Sequence, residues 1–257
     1  MMREFIWRAL YFVARIVSKR PRCSILLYHS VSGGTDPLAV TPVEFEQQMR
    51  FIREHFDVIP LERAVAVAAG EAFSRDCVAV TFDDGYRDFV TVALPILEQY
   101  RVPATVFVLG GEPDRAALGT TYELIRDADT PALMNPLVCI GSHGLTHRKL
   151  TRLTQEELSD ELERSRANLQ ERYGSGAAEF IAYPKGSFND RVVQTAAVAG
   201  YAGGVTVTER AVRVGDDRFA LPRIQVTNGM PLKRFAAKLS IAADWYYAIW
   251  HIAHRRR

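Results

Sequence analysis

Two short segments of this chain carry the residues with the clearest potential for chemistry. The first, Thr-Phe-Asp-Asp-Gly at 81–85, holds the adjacent carboxylates Asp83 and Asp84, and the second, Ser-His-Gly-Leu-Thr-His at 142–147, holds His143 and His147. One carboxylate and two imidazoles can bind a divalent ion, and three protein ligands leave a position open for water. The second carboxylate can then accept a proton from that water. Together the two segments indicate a hydrolytic metal site.

The spacing of these residues suggests how they are arranged. Side chains at i and i+4 of a helical turn point the same way, so both imidazoles could reach one ion. Adjacent carboxylates cannot easily bind the same small ion, so one is expected to bind while the other contacts the water. Taken singly, Asp-Asp-Gly is more typical of a turn, and the two histidines could form a hydrogen-bonded pair that caps a loop. The combination of both segments favours the metal site.

The elements that must position these residues alternate along the chain. Short β-branched runs and helical patterns follow one another, which predicts parallel strands joined by crossover helices. A chain of 257 residues suits one such domain. We therefore predict an α/β fold with a single distorted or incomplete (β/α) barrel of about seven parallel strands, flanked by N- and C-terminal amphipathic helices. Strands are expected at 24–29, 78–82, 105–109, 138–141, 180–182, 202–205 and 220–226, and clear helices at 42–55 and 154–173, with a loop and one helix at 110–136.

The candidate residues fall where predicted strands end. His29 ends the first strand, Asp83 and Asp84 follow the second, and His143 follows the strand at 138–141. Parallel barrels place their chemistry at the carboxyl ends of the strands. Three separate segments of the chain are therefore expected to meet on one face of the barrel.

The two ends of the chain have a different character from the barrel domain expected at 23–240. Residues 1–22 form a predicted amphipathic basic helix, and residues 241–257 combine aromatic residues with basic ones. Such patterns are typical of helices that lie in a membrane interface, although both could simply pack on the barrel. No small-residue cleavage site follows the first apolar stretch, so we expect a cytoplasmic protein, peripheral at the inner face of the membrane, rather than a secreted one. The net charge of +2 gives no indication of a nucleic-acid partner.

The motifs resemble the polysaccharide deacetylase family, whose members share the NodB homology domain of the carbohydrate esterase type. The resemblance covers about residues 24–226 and is carried by the two segments above and by Phe-Ile-Ala-Tyr-Pro-Lys-Gly at 180–186. It implies that Asp84, His143 and His147 hold one divalent metal ion, with zinc as the expected metal, although these ligands accept other divalent ions. It also implies that Asp83 is the general base.

The third motif is expected to serve the substrate and the oxyanion, and it departs from the family pattern. The resemblance implies an oxyanion donor in the Pro-X-Gly region, here the backbone amide of Lys185 or a neighbour within Tyr183, Pro184 and Lys185. The ring of Tyr183 could either pack or stack on a sugar. Family members usually have an arginine before the proline that orients the base, whereas this chain has alanine and tyrosine there. Arg223 is our candidate for that role, and a structural salt bridge is the alternative.

The leaving amine also needs a general acid. Much of the family uses a histidine late in the domain, and this chain has none there before the terminal helix. Of its six histidines, His29 is the one that ends a predicted barrel strand. Leu-Tyr-His at 27–29 further resembles the start of the poly-N-acetylglucosamine deacetylase branch, where the acid is encoded early. We therefore assign His29 as the acid, with a histidine bonded to backbone as the alternative.

The expected function is that of a metal-dependent N-deacetylase that hydrolyses the acetamide of an N-acetylated amino sugar in a polysaccharide or a polysaccharide precursor. Two alternatives stay open. The terminal helices suit a deacetylase or deformylase of a lipid-linked amino sugar at the cytoplasmic membrane face. The missing arginine and the missing late histidine suit a carbohydrate-binding relative without catalysis, but the intact pair of motifs argues against it.

Overall fold

A computed structural model describes residues 21–114, 118 and 122–240 of the chain. Its main sheet is built from β1 (Cys23–Tyr28), β4 (Asp57–Val58), β5 (Cys77–Phe82), β6 (Ala104–Val108), β7 (Val138–Ser142), β8 (Phe180–Ala182), β9 (Gly203–Val205) and β10 (Ile224–Gln225). The strands are parallel and follow the order β10, β1, β5, β6, β7, β8, β9, with β4 beside β5. A second small sheet pairs β2 (Ser30–Val31) with β3 (Ala39–Val40). The main sheet curls into an incomplete barrel, which confirms the predicted fold class.

The residues that precede β10 link the two edge strands of the sheet. Val205 in β9 forms a parallel bridge with Leu221, and Ile224, three residues later, pairs with β1. The chain thus crosses from one edge strand to the other within a few residues. For this reason the strand predicted at 220–226 is much shorter in the structure, where residues 224–225 form the regular strand.

The main strands are buried on both faces, which explains their continuous apolar runs. Alternate residues of a strand point to opposite faces of the sheet. Ile25, Ala79 and Phe107 belong to one cluster of buried side chains, whereas Leu26 and Val80 belong to another. The first, smaller cluster also includes Leu61 and Val67 of the helix at Leu61–Ala68, and the second includes buried residues of several other helices.

Helices surround the sheet, and the two longest begin at threonine capping residues. The side chain of Thr41 caps the first long helix, and that of Thr154 caps the second. The prediction at 42–55 is confirmed, and the second helix starts one residue later than predicted because Thr154 is its N-cap. The helices are α1 (Pro42–His55), α2 (Leu61–Ala68), α3 (Leu94–Tyr100), α4 (Thr130–Leu133), α5 (Gln155–Tyr173), α6 (Asp190–Val198) and α7 (Leu232–Lys238), with a π-helical turn at Phe89–Ala93 and 3-10 turns at Asp127–Asp129, Leu150–Arg152 and Pro184–Gly186.

The predicted terminal helices fall almost entirely in residues 1–20 and 241–257, outside the described residues. Pro21 and Arg22 are described, and neither lies in a helix. The division of the chain into a barrel and two terminal segments therefore stays a prediction. Among the helices of the described residues, none combines the length and the apolar character needed to cross a bilayer.

Candidate metal centre

Three side chains from two strand ends meet at the carboxyl edge of the sheet. Asp84 lies just beyond β5, and His143 directly follows β7. Asp84 Oδ1 lies 3.2 Å from Nε2 of His143 and 3.2 Å from Nε2 of His147. One ligand atom from each residue lies within 4.8 Å of the other two, and all three residues are buried. The structure therefore brings together the three ligands that the sequence suggests.

The donor atoms and their spacing fit a divalent ion. Zinc binds nitrogen and oxygen ligands at about 2.0–2.2 Å, so two donors on a tetrahedral ion lie roughly 3.4 Å apart, close to the separations seen. His143 Nδ1 donates a hydrogen bond to the Ala182 carbonyl at 2.7 Å. That bond leaves the lone pair on Nε2, which faces Asp84. His147 Nδ1 is buried and has no hydrogen-bond partner among the described residues.

The electrostatics of the cluster favour a cation at this position. Burial alone would raise the pKa of Asp84, but hydrogen bonds from His143 and His147 hold it well below its ordinary value. Burial also opposes the charged form of His143, and the negative charges of Asp83 and Asp84 outweigh it and raise the pKa of that imidazole. Ligand imidazoles must be neutral, so a divalent cation competes with the proton for the same place beside Asp84.

The two histidines do not lie on a helical turn, so the helical interpretation of their spacing is wrong. β7 ends at Ser142, and residues 143–149 form a loop before the 3-10 turn at Leu150–Arg152. Gly144 and His147 have left-handed backbone angles, with φ of 78° and 69°. A right-handed helix requires negative φ throughout. The imidazoles converge because the loop turns back on itself between them.

Non-glycine residues with a left-handed backbone conformation are concentrated at this site. Asp84, His147 and Lys185 have φ of 69°, 69° and 56°, and they make up three of the five such residues in the described part of the chain. This conformation costs a residue with a Cβ roughly 1–2 kcal/mol, so surrounding contacts must maintain it. Strain of this kind is typical of functional sites.

Asp83, the other carboxylate of the pair, has a different partner. Its Oδ1 accepts a hydrogen bond from Arg223 Nη1 at 2.6 Å, and its Oδ2 accepts one from Nη2 at 2.7 Å. The guanidinium also donates to Thr81 Oγ1 at 3.1 Å and, through Nε, to the Thr206 carbonyl at 2.9 Å. Arg223 is fully buried, and Asp83 is nearly so. The bidentate pair fixes the orientation of the Asp83 carboxylate.

The same pair keeps Asp83 ionised. Burial by itself would raise the pKa of Asp83, but the charges of Arg223 and His143 and the hydrogen bonds from Arg223 hold it below its ordinary value. Each carboxylate oxygen has a second lone pair beyond the one that Arg223 occupies. Asp83 can therefore still accept a proton from a neighbouring molecule.

His29 lies directly after β1, at the same edge of the sheet as the cluster. Its Nδ1 is buried and has no hydrogen-bond partner among the residues that the structure describes, so the alternative of a backbone bond finds no support at that atom. Burial lowers the pKa of His29, whereas the negative charges of Asp83 and Asp84 oppose this shift. These interactions place the imidazole within electrostatic reach of both carboxylates.

The third motif lies beside the histidine loop. A Cβ added to Gly144 would lie 3.4 Å from Pro184, which opens the 3-10 turn at Pro184–Gly186. The Tyr183 hydroxyl donates to the Phe219 carbonyl at 2.8 Å, and its side chain is 1% exposed. The structure therefore supports packing for Tyr183 and leaves its ring no surface on which a sugar could stack. Lys185, in contrast, is exposed.

A polar groove of about 530 Å³ opens beside the metal cluster. Its lining includes Asp84 and Gly85 together with Val108, Tyr122 and Arg126. A volume of this order is typical of a small-ligand site. Of the candidate site residues, Asp84 is therefore the one that this groove reaches.

Some residues that support the cluster are not evident from the motifs. The Ala182 carbonyl orients His143, and the Thr206 carbonyl helps to hold Arg223. Backbone acceptors of this kind leave no signal in a sequence. Glu161, in contrast, does leave a signal in the sequence. It is a charged residue beside Leu158 and Leu162 on the buried face of α5, where an apolar residue is expected.

An incomplete parallel barrel with an Asp-His-His cluster beside a separately paired carboxylate defines a class of protein, the metal-dependent hydrolases. Residues 70–204 match the sequence model of the polysaccharide deacetylase family. A Bacillus subtilis protein, YxkH, whose name assigns it to the polysaccharide deacetylases, is 30% identical over 227 residues, which span 87% of this chain and 78% of the relative. The chain belongs to the polysaccharide deacetylase family. It is accordingly a hydrolase of the class that acts on the amide bonds of N-acetylated sugars, and these enzymes are metal-dependent.

Other relatives and solved structures agree with this assignment. The chain is 24% identical over 225 residues to the poly-beta-1,6-N-acetyl-D-glucosamine N-deacetylase of Staphylococcus epidermidis, and the match spans 83% of this chain and 77% of the relative. The deacetylase PplD of Streptococcus pyogenes, solved in complex with acetate, superposes with a TM-score of 0.73 at 25% identity and covers 86% of this chain and 99% of its own. IcaB from Ammonifex degensii has the same fold, with a TM-score of 0.73 at 22% identity over 86% of this chain and 97% of its own.

Proposed function

We propose that this protein removes the acetyl group from N-acetylated amino-sugar units of a polysaccharide or its precursor. The observation that carries the proposal is the division between adjacent carboxylates: Asp84 contacts the two histidines, whereas Asp83 is paired with Arg223. Such a division separates a metal ligand from a general base. The name of the Staphylococcus epidermidis relative supports a polymer of N-acetylglucosamine as the class of substrate.

In this proposal Asp84, His143 and His147 hold one divalent ion. Zinc is the proposed metal because two nitrogen donors and one carboxylate, close to tetrahedral spacing, suit it well, although other divalent ions accept the same ligands. A bound ion supplies Lewis acidity, which polarises the acetamide carbonyl and makes an attacking water more acidic. The hydrogen bond from His143 to the Ala182 carbonyl keeps that imidazole in the tautomer that a ligand needs.

The protein's own groups would carry the proton transfers and stabilise the developing charge. Asp83, fixed by Arg223, accepts a proton from the attacking water. A backbone N–H of the turn at Pro184–Gly186, with Lys185 as the first candidate, donates to the oxyanion. His29 in its protonated form then donates a proton to the sugar nitrogen as the C–N bond breaks, and the proton that Asp83 accepted restores the protonated form of His29. The products are acetate and a free amine.

Asp83→Asn tests the role of the base, and Asp84→Asn is the matched control one residue away. We expect Asp83→Asn to bind zinc like the wild-type protein and to lose turnover by about 10²–10⁴-fold, the usual contribution of general acid–base catalysis. We expect Asp84→Asn to lose zinc affinity because it removes a ligand. Acetate release from N-acetylglucosamine oligomers and zinc titration measure the two effects separately.

Wild-type activity in Asp83→Asn would refute the assignment of the base. Zinc binding by the wild-type protein without acetate release from any N-acetylated glycan would favour the second candidate class, a carbohydrate-binding relative that has lost catalysis. The intact pairing of Asp83 with Arg223 argues against that class, since a binding protein has no need of an oriented carboxylate beside its metal.

A more specific proposal concerns the place in the cell where the protein binds its substrate. The basic and aromatic terminal segments at 1–22 and 241–257 favour peripheral contact with the inner face of the cytoplasmic membrane. A lipid-linked amino sugar, carrying an acetyl or a formyl group, would then be an accessible substrate. Vesicle flotation with anionic lipid, comparing the full chain with a chain that lacks residues 1–20, tests the contact. Absence of vesicle binding by the full chain would refute the membrane contact.

A further inference from the structure

Glu161 on α5 is a buried carboxylate with an unusual set of partners. Its side chain is 1% exposed, and its Oε1 accepts a hydrogen bond from the Thr146 backbone N–H at 2.7 Å. The Thr146 hydroxyl lies 3.0 Å from Oε1 and 2.9 Å from Oε2. Arg148 Nη2 is 3.5 Å from Oε2. A buried charge is costly unless it is bonded, and these bonds come from the loop that carries both histidines.

Ser165 makes an equivalent contact one turn farther along α5. Its hydroxyl is hydrogen-bonded to that of Ser142 at 2.8 Å, and Ser142 in turn accepts from the Gly144 backbone N–H at 3.2 Å. Residues four apart on a helix are neighbours on one face. Glu161 and Ser165 are four apart, and so are their partners, Thr146 in the loop and Ser142 at the end of β7. One helix face therefore fixes the loop just before His143 and again just before His147.

The loop needs such restraint because its backbone is strained. Gly144 and His147 are both left-handed, and His147 has a Cβ that disfavours this conformation. A Cβ on Gly144 would lie 3.3 Å from Glu161 Oε1, which shows how closely the carboxylate approaches the loop backbone. Without Glu161 the Thr146 N–H and hydroxyl lose their partners, and His147 is free to relax away from Asp84.

We propose that Glu161 is a positioning residue that sets the separation of the two imidazoles and thereby the affinity of the site for a divalent ion. The inference rests on the proposed metal site. Glu161 acts through Thr146, which is the residue directly before His147, and takes no part in binding the ion itself. It extends the set of functional residues from the strand ends to a helix that carries none of the family motifs.

The test measures zinc affinity, by competition with a chelator, in Glu161→Ala, Glu161→Gln and two controls. Glu163→Ala removes an exposed carboxylate from the same helix, and Leu169→Ala destabilises α5 at a buried position away from the loop. We expect Glu161→Ala to weaken zinc binding by about tenfold or more, as loss of outer-shell partners does in metal sites. Glu161→Gln should recover part of the loss, because its amide oxygen can still accept the Thr146 N–H bond. Both controls should bind zinc like the wild-type protein.

Urea unfolding of the metal-free proteins separates positioning from general stability. The inference is overturned if folded Glu161→Ala binds zinc with wild-type affinity, or if Leu169→Ala loses as much affinity at a similar loss of stability. Should Glu161→Ala fail to fold, Thr146→Val and Thr146→Ser decide, since valine removes the hydroxyl that bonds Glu161 and serine keeps it. A wild-type protein that binds no divalent ion would refute the proposed metal site, whereas wild-type binding with unaltered variants would refute this inference alone.

Discussion

Replacement of Arg223 by methionine tests how the candidate base is held. The guanidinium is fully buried and donates to both oxygens of Asp83, to the Thr81 hydroxyl and to the Thr206 carbonyl. Methionine fills a similar space without charge or donors. The substitution therefore removes one partner of a buried ion pair and leaves the Asp83 charge uncompensated.

The contacts give the size of the expected effect. Loss of one partner of a buried pair costs about 3–5 kcal/mol, and a buried acceptor such as the Thr206 carbonyl adds about 1 kcal/mol or more when it loses its donor. We therefore expect Arg223→Met to lower the free energy of unfolding by at least about 4 kcal/mol. Combining it with Asp83→Asn removes the unpaired charge, so the double variant should be about 1–3 kcal/mol more stable than the sum of the single effects.

Urea unfolding with a chelator present measures these stabilities, and acetate release measures function. Turnover should stay low in the double variant, because its recovered stability does not restore a base. Arg223→Lys adds a graded test: an ammonium group cannot form the planar two-bond fork, so turnover should fall while zinc affinity is kept.

Two results would refute this reasoning. If the single effects add to within about 0.5 kcal/mol, Asp83 and Arg223 are not energetically coupled in the way that their contacts indicate. If Arg223→Lys has wild-type turnover, the bidentate geometry has no bearing on the base, and the salt bridge is structural, which is the alternative that the sequence leaves open.

Three further outcomes are expected. His29→Gln should lower kcat by about 10²-fold or more without changing zinc affinity, and an unchanged kcat would remove His29 from the mechanism. Gly110→Ala should destabilise the fold by about 1–3 kcal/mol, because its Cβ would lie 2.5 Å from the Ser165 Cα. Gly176→Ala is the control and should not destabilise the fold, because its Cβ would have no other atom within 4 Å. Equal unfolding midpoints of the two variants would contradict this prediction. Zinc at 100 times its dissociation constant should add about 2.7 kcal/mol to the free energy of unfolding of the wild-type protein and nothing to that of His143→Ala. An equal rise in melting temperature in both proteins would place the ion elsewhere.

The parallel barrel and the meeting of Asp84 with the two histidines could be predicted from the sequence because both depend on where strands end. Apolar β-branched runs mark the strands, and parallel pairing brings their carboxyl ends to one edge. Once the strands are located, the carboxyl ends of β5 and β7 are expected at the same edge, and in the structure β6 alone separates these two strands. The local conformation of each motif is not needed for this conclusion.

That local conformation is the part that could not be predicted. The spacing of His143 and His147 is equally compatible with a helical turn and with a loop. In the structure the loop bonds to Glu161 of α5 through Thr146, and Ser165 of α5 bonds Ser142 just before it. The packing of Tyr183 likewise depends on the Phe219 carbonyl, which approaches only when the chain crosses from β9 to β10. Contacts of this kind are tertiary and leave no periodic signal in either segment.

The position of Arg223 shows why a departure from the family motif does not by itself remove a function. Asp83 continues β5, with its N–H donating to the Tyr28 carbonyl at 3.0 Å, and its carboxylate meets the guanidinium among the strands. Asp84 is left-handed and therefore leaves the strand direction to meet the histidines. In the proposed mechanism Asp83 needs a buried guanidinium to orient it, and Arg223 provides one that donates to both of its oxygens. Arg223 reaches Asp83 from the residues just before β10, where the chain crosses from β9 to β1.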